Sequence, residues 1–346
     1  MTNNAVRRAV VSLLLAVLFS FATAPVQAAS KKQNFLIATA SKGGTFYPVG
    51  VALATLATAK LGTTHSISLA AISSAGSAEN IRLLRENEAQ FAIIQGLFGY
   101  YARYGQGPLA DIGPQKNLRS VMTLWENVEQ FVILSKHVQT GTISDLTRVK
   151  GKPVAFGRRE SGTISSNRVL LQNLGIDIDQ DFKLVTAGYG PSADALTRGK
   201  VAAIGTPGGI PTAAVTRALS ALGGQATMLS FTEEQAKQAD GGRRLWRKYT
   251  IPAGTYPAQK KAVSTISQPN LLAVSADVDE RIVYLLTKAI YENLTFLRTM
   301  HQAARAITLK SALTSLPLPL HAGAVRYFRE AKIDIPAELI AEGDAK

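Results

Sequence analysis

The chain contains no cysteine. That excludes a disulfide framework, thiolate metal sites and a cysteine nucleophile, and it suits an exported bacterial protein that needs no disulfides. Histidine is scarce. His65, His137, His301 and His321 are scattered, with no pair at ligand spacing such as H-x-x-x-H, and each reads as an ordinary core or surface residue. There is no G-x-x-x-x-G-K-[ST], no G-x-G-x-x-G after a strand and no G-x-S-x-G, so nucleotide hydrolysis, dinucleotide binding and the common serine hydrolase elbow lack support. Neither a cofactor nor a metal is implied. Acidic residues are under-represented, with 24 Asp and Glu against 38 Lys and Arg and a formal net charge of +14. Long apolar runs are missing too. Ala9–Phe21 is apolar for only thirteen residues, too short to span a bilayer comfortably.

That short run has a different use. Arg7 and Arg8 precede it and Val26-Gln27-Ala28 follows it, small residues where a signal peptidase cuts. Residues 1–28 therefore read as a cleavable secretory signal with cleavage expected after Ala28, in preference to an uncleaved anchor. No cysteine is present to carry lipid, so the mature protein is expected free in the periplasm of a Gram-negative cell. Its net charge is +14 less the two leader arginines, +12. The basic residues are dispersed, with small pairs at Arg158-Arg159, Arg243-Arg244 and Lys260-Lys261. This favours a generally solvated basic surface, and an exported chain seldom meets nucleic acid.

The chain is organised around residues 35–59. Phe35–Ala38 is an apolar run suited to a strand buried on both faces. Ser41-Lys42-Gly43-Gly44-Thr45 breaks it, and the glycines let a ligand approach the main chain. From Val49 the apolar residues recur at spacings of three and four, and Pro48 suits a first helical turn. The unit is strand, glycine turn, helix. Free N–H groups at such a helix start attract anions; the plain alternative is a tight βα turn.

Strand and helix signals then alternate, which predicts an α/β fold with mostly parallel sheets. Strands are expected at 66–72, 91–94, 118–124, 131–135, 153–156, 182–186, 201–204 and 226–229. Helices are expected at 78–87, 97–104, 164–174, 191–198, 211–222, most of 232–249, 277–300 and 323–332. The alternation restarts after residue 146, so two α/β lobes are expected: lobe I from 31–125 plus 268–346, and lobe II from 126–267. Trp125–Gln130 and Thr265–Ala273 would be the crossings, with a ligand cleft between the lobes beyond the strand ends. Small polar residues cluster at those ends: Ser41, Gly44 and Thr45; Ser73, Ser74, Ser77 and Asn80; Gln95; Ser161, Gly162 and Thr163; Thr206, Pro207 and Gly208. Phe46 and Tyr47 would supply walls, and Lys42, Arg158 and Arg159 positive charge. Such groups hydrogen-bond a ligand well and offer no tuned acid or base.

Ser41-Lys42-Gly43-Gly44-Thr45-Phe46-Tyr47-Pro48-Val49-Gly50 resembles the hallmark of the TAXI family, the extracytoplasmic solute receptors of TRAP (tripartite ATP-independent periplasmic) transporters. Residues 76–84 and 92–95, the stretch 146–163, and the motifs at 251–256 and 319–324 are similar to its later motifs, in order along nearly the whole mature chain. Gln90 and Ala202 stand where the family usually carries acidic residues, and Lys42 where it has a small neutral one. The resemblance implies a type II-like periplasmic binding protein and no enzymatic chemistry. It closes on a carboxylate or acidic amino acid and delivers it to a two-subunit membrane permease driven by an ion gradient. A monomer is expected. The implied ligand-binding residues are Ser41, Lys42, Gly44, Thr45, Phe46, Tyr47, Ser74, Ser77, Asn80, Gln95, Ser161, Gly162, Thr163, Pro207 and Gly208. The rival readings are a receptor for an ABC importer or a sensor kinase, or a periplasmic lyase or dehydratase using Lys42, Glu126 or Glu160.

Overall fold

A computed structural model describes residues 32–341; the expected signal segment lies outside the described residues. In chain order the elements are β1 (Gln33–Ala38), α1 (Phe46–His65), β2 (Ile67–Ile72), α2 (Ser77–Arg85), β3 (Phe91–Gln95), α3 (Gly96–Tyr104), β4 (Leu118–Val128), β5 (Phe131–Leu134), β6 (Pro153–Ala155), α4 (Gly162–Asn173), α5 (Ile178–Asp181), β7 (Lys183–Leu184), α6 (Tyr189–Thr197), β8 (Ala203–Gly205), α7 (Ala213–Leu222), β9 (Ala226–Met228), α8 (Glu233–Asp240), β10 (Arg247–Ile251), β11 (Val263–Ser275), α9 (Glu280–Glu292), α10 (Leu294–Met300) and α11 (Ala322–Glu330).

The strands form two sheets. The first has the order β10-β11-β3-β1-β2, with β4 also paired to β11; the second has the order β7-β6-β8-β5-β9. The expected parallel pairing holds for β1 with β2 and β3, and for β6 with β7 and β8. The rest is antiparallel: β11 against β3, β4 and β10, and β5 against β8 and β9. The sheets are therefore mixed rather than mostly parallel, because β11 runs against β3 and β4 in the first and β5 against β8 and β9 in the second. Only Glu129 and Gln130 separate β4 of the first sheet from β5 of the second.

Both faces of the second sheet are covered. Val132, Ala155 and Ile204 face one apolar cluster; Phe131, Ile133, Val154 and Ala203 face the larger one, which continues into the first sheet. This period-two alternation is the strand geometry expected of residues buried on both sides. Among the described residues, no helix is long and apolar enough to cross a membrane.

Two expected helices differ from the sequence reading. The span 232–249 is helical only over α8. Thr232 and Gln235 cap its start reciprocally, and Gly241 ends it at φ 59°. Asp240 then accepts the N–H groups of Arg244, Leu245 and Trp246 (2.7, 2.8 and 2.9 Å), which turns the chain into β10. β10 falls inside the residues expected for lobe II, yet it hydrogen-bonds into the first sheet while Ile251 packs on the second sheet's core. The span 277–300 is broken at Asn293, whose backbone leaves the helical region (φ −128°) and whose amide donates to Ala289 O (2.9 Å).

Candidate functional site

The site is built from helix beginnings. After β1 the chain turns through Gly43 and Gly44 into α1. After β2 it turns through Gly76, at φ 125°, into α2. β3 runs directly into α3 with Gln95 as N-cap. In the second half Ser161 caps α4, its Oγ accepting Ile164 N–H (3.2 Å), and Gly188 precedes α6. The N-cap residues of α1, α2, α3 and α6 make no side-chain cap. At α3 Gln268 Oε1 takes the Leu97 N–H instead (2.9 Å), and at α2 Glu79 N–H donates to Glu160 O (3.4 Å), so first N–H groups are left for a ligand at the starts of α1, α2 and α6.

These beginnings meet at one cavity of about 30 Å³. Of the residues expected from sequence, Ser41, Gly44, Thr45, Phe46, Ser77, Gln95, Ser161, Gly162, Thr163, Pro207 and Gly208 line it. Lys42, Tyr47, Ser74 and Asn80 do not. Lys42 is exposed, with its Nζ 5.7 Å from the centroid of the half-buried Tyr47 ring. Asn80 is fully buried, and its amide donates to Thr39 O (2.7 Å) and Ile93 O (2.8 Å). Ser74 Oγ lies 2.6 Å from Asn80 Oδ1 and accepts Gly76 N–H (3.0 Å). Asn80 and Ser74 thus hold the ends of β1 and β3 and the entry to α2. An Asn at an inferred helix start cannot be told by sequence from one whose hydrogen bonds are all spent on the scaffold.

The structure adds Asn127, Tyr189 and Gly188 to the lining and brings Arg158, at the exposed rim, to the same cavity; Arg159 lines a different surface groove. Asn127 lies in the segment read as a crossing, where a side-chain role gave no signal. Tyr189 could have been found, because Gly188-Tyr189 repeats the glycine-then-helix pattern of the other loops. Its hydroxyl donates to Pro207 O and lies 2.8 Å from Thr163 Oγ1. Burial pushes the phenol pKa well up, so it keeps its proton.

The halves touch through atoms that leave no spare room. A Cβ on Gly162 would sit 2.3 Å from Gln95 Oε1 and 2.7 Å from Ser77 Oγ, and one on Gly43 would sit 2.7 Å from Gly190 N. Thr45 Oγ1 donates to Gly209 O (3.0 Å) across the cleft. Two lining amides remain incomplete. Gln95 Oε1 and Asn127 Nδ2 are buried, on residues 3% and 1% exposed, with no partner in the protein. A buried polar atom without a partner is costly. No histidine, lysine, aspartate or glutamate lines the cavity, and among the described residues no group of three or more His, Asp or Glu could hold a metal ion.

Two α/β halves with a cleft floored by helix N-termini define the two-lobed fold of the periplasmic solute-binding proteins. The family profile agrees: the chain belongs to the NMT1-like family, which matches residues 37–331. Among solved structures it is similar to PhnD1 from Prochlorococcus marinus in complex with methylphosphonate (12% identity, 87% of this chain and 99% of that one, TM-score 0.54). It is also similar to the alkanesulfonate-binding protein SsuA from Xanthomonas axonopodis pv. citri bound to MOPS (14% identity, 90% and 98%, TM-score 0.48). A TctC solute-binding protein from Polaromonas matches at 16% identity over 80% and 87%, with a TM-score of 0.42. At 12% identity the likeness to PhnD1 is one of fold.

Proposed function

We propose that this chain is a periplasmic receptor that captures a small organic anion, a carboxylate, and delivers it to a membrane transporter of the TRAP type without altering it chemically. The observation that carries the reading is the convergence on one cavity of three helix beginnings with free N–H groups, two buried amides without partners and Arg158 at the rim. Helix N-termini favour negative charge, and a cleft that expels water strengthens each hydrogen bond inside it. A lining without histidine, lysine or carboxylate supports a receptor over a lyase, which would need a general acid or base. The 41–50 motif and its successors support the TRAP assignment.

A thermal-shift screen of the mature protein against organic acids and their amides tests this reading, since a ligand that binds only the folded state raises its stability. Acids should raise the melting temperature and the amides should not; equal shifts would remove the anion from the proposal. Family membership also suits delivery to an ABC importer. Uptake in vesicles that follows an imposed ion gradient without ATP supports the TRAP partner; a strict ATP requirement supports the importer.

A further inference from the structure

Resting on that reading, we infer that the ligand is not a zwitterion: the cavity takes an anion whose second polar group is an uncharged hydroxyl, so a hydroxy acid is preferred to the amino acid of the same shape. The lining determines which charges the cavity can hold. Its one charged side chain is Arg158, and no carboxylate is present to neutralise an ammonium. Glu129, two residues beyond Asn127, does not line the cavity: its Oε1 accepts Trp246 Nε1–H (3.0 Å), and burial disfavours its charged form. Burying an ammonium without a counter-charge is far more costly than burying a hydroxyl that finds partners. The first N–H groups of three helices, α1, α2 and α6, would add to the cost, because they repel a cation as they attract an anion.

The two incomplete amides state what the second group should be. Asn127 Oδ1 faces Asn270 Nδ2 (3.4 Å), which leaves Asn127 Nδ2 as a donor seeking an acceptor. Gln95 has its own N–H bound to Ser77 Oγ (3.1 Å), and its Oε1 is an acceptor seeking a donor. A hydroxyl both donates and accepts, so it can serve either amide. An ammonium only donates, and would leave Asn127 Nδ2 without a partner.

The test is calorimetry at pH 7 on the mature protein with matched pairs: lactate and alanine, malate and aspartate, 2-hydroxyglutarate and glutamate, then lactamide and alaninamide. At least one hydroxy acid should bind, and at least tenfold more tightly than its amino partner. Equal or tighter binding of the amino acid overturns the inference, as does the absence of binding by all three hydroxy acids. Failure of the anion reading looks different: lactamide would then bind as well as lactate, while the order of lactamide over alaninamide still reports hydroxyl against ammonium. Gln95→Glu places a carboxylate at the floor and should weaken the hydroxy acid at least tenfold while narrowing or reversing its lead over the amino acid. Asn127→Asp gives the same readout should Gln95→Glu fail to fold. An unchanged preference in a folded variant would count against the assignment.

Discussion

At the scale of single residues, hydrogen-bond partners separate the groups proposed for the ligand from those spent on the scaffold. Asn80 is the clearest case. Its amide holds Thr39 O and Ile93 O, and its Oδ1 meets Ser74 Oγ. Each buried group left unpaired costs about 1–3 kcal/mol, so Asn80→Ala should lower the stability of the unliganded protein by at least about 2 kcal/mol in urea denaturation. Unchanged stability with weakened binding would return Asn80 to the ligand.

Glu129 offers a second residue-scale prediction. It is 1% exposed, and burial pushes its carboxyl up to about 7, partly opposed by the hydrogen bond from Trp246. The folded chain therefore holds this proton to higher pH than the unfolded chain does, and the group's contribution to stability is lost as pH rises from the ordinary glutamate range through 7. The loss amounts to up to about 3 kcal/mol. Glu129→Gln should gain on wild type by about that amount at pH 8 and by little at pH 4. A difference independent of pH would show that the carboxyl does not titrate abnormally.

At the scale of elements, the seating of α4 against β3 and α2 depends on one missing side chain. Gly162 has ordinary helical geometry, and what it supplies is clearance from Gln95 and Ser77. Gly162→Ala should leave helix α4 intact, since alanine is the better helix former, yet prevent the cleft from closing. The expected result is an unchanged circular dichroism spectrum with at least a tenfold loss of affinity for the bound acid. Wild-type affinity would mean that the contact between α4 and β3 is not part of the bound state.

At the scale of the whole molecule, the two sheets are joined through Glu129-Gln130 and by the chain that returns through α8 into β10 and β11. We propose that these connections flex as a hinge while Thr45 with Gly209, and Gly162 with Gln95, make the closed contacts. Small-angle scattering should give a smaller radius of gyration with saturating ligand than without it. An equal radius, with binding shown independently, would leave a preformed site and no hinge.

Local rules made much of this legible before any tertiary contact was known. The glycine turns, the apolar periodicity of α1 and the runs of β1 and β3 are encoded within a few residues of each other, so the βα units and most cavity-lining loops could be read directly. Strand direction could not, because β4 and β11 pair across more than a hundred residues and nothing local records that they run antiparallel. Nor could the separation of Gln95 and Asn127 from Asn80. All three are buried amides, and only the packed structure decides which have spent their hydrogen bonds on backbone carbonyls and which, in the lining of the cavity, have been left with a polar atom unpartnered. Residue type states what a side chain can bond, while the partners that reach it are set by which distant elements fold against it.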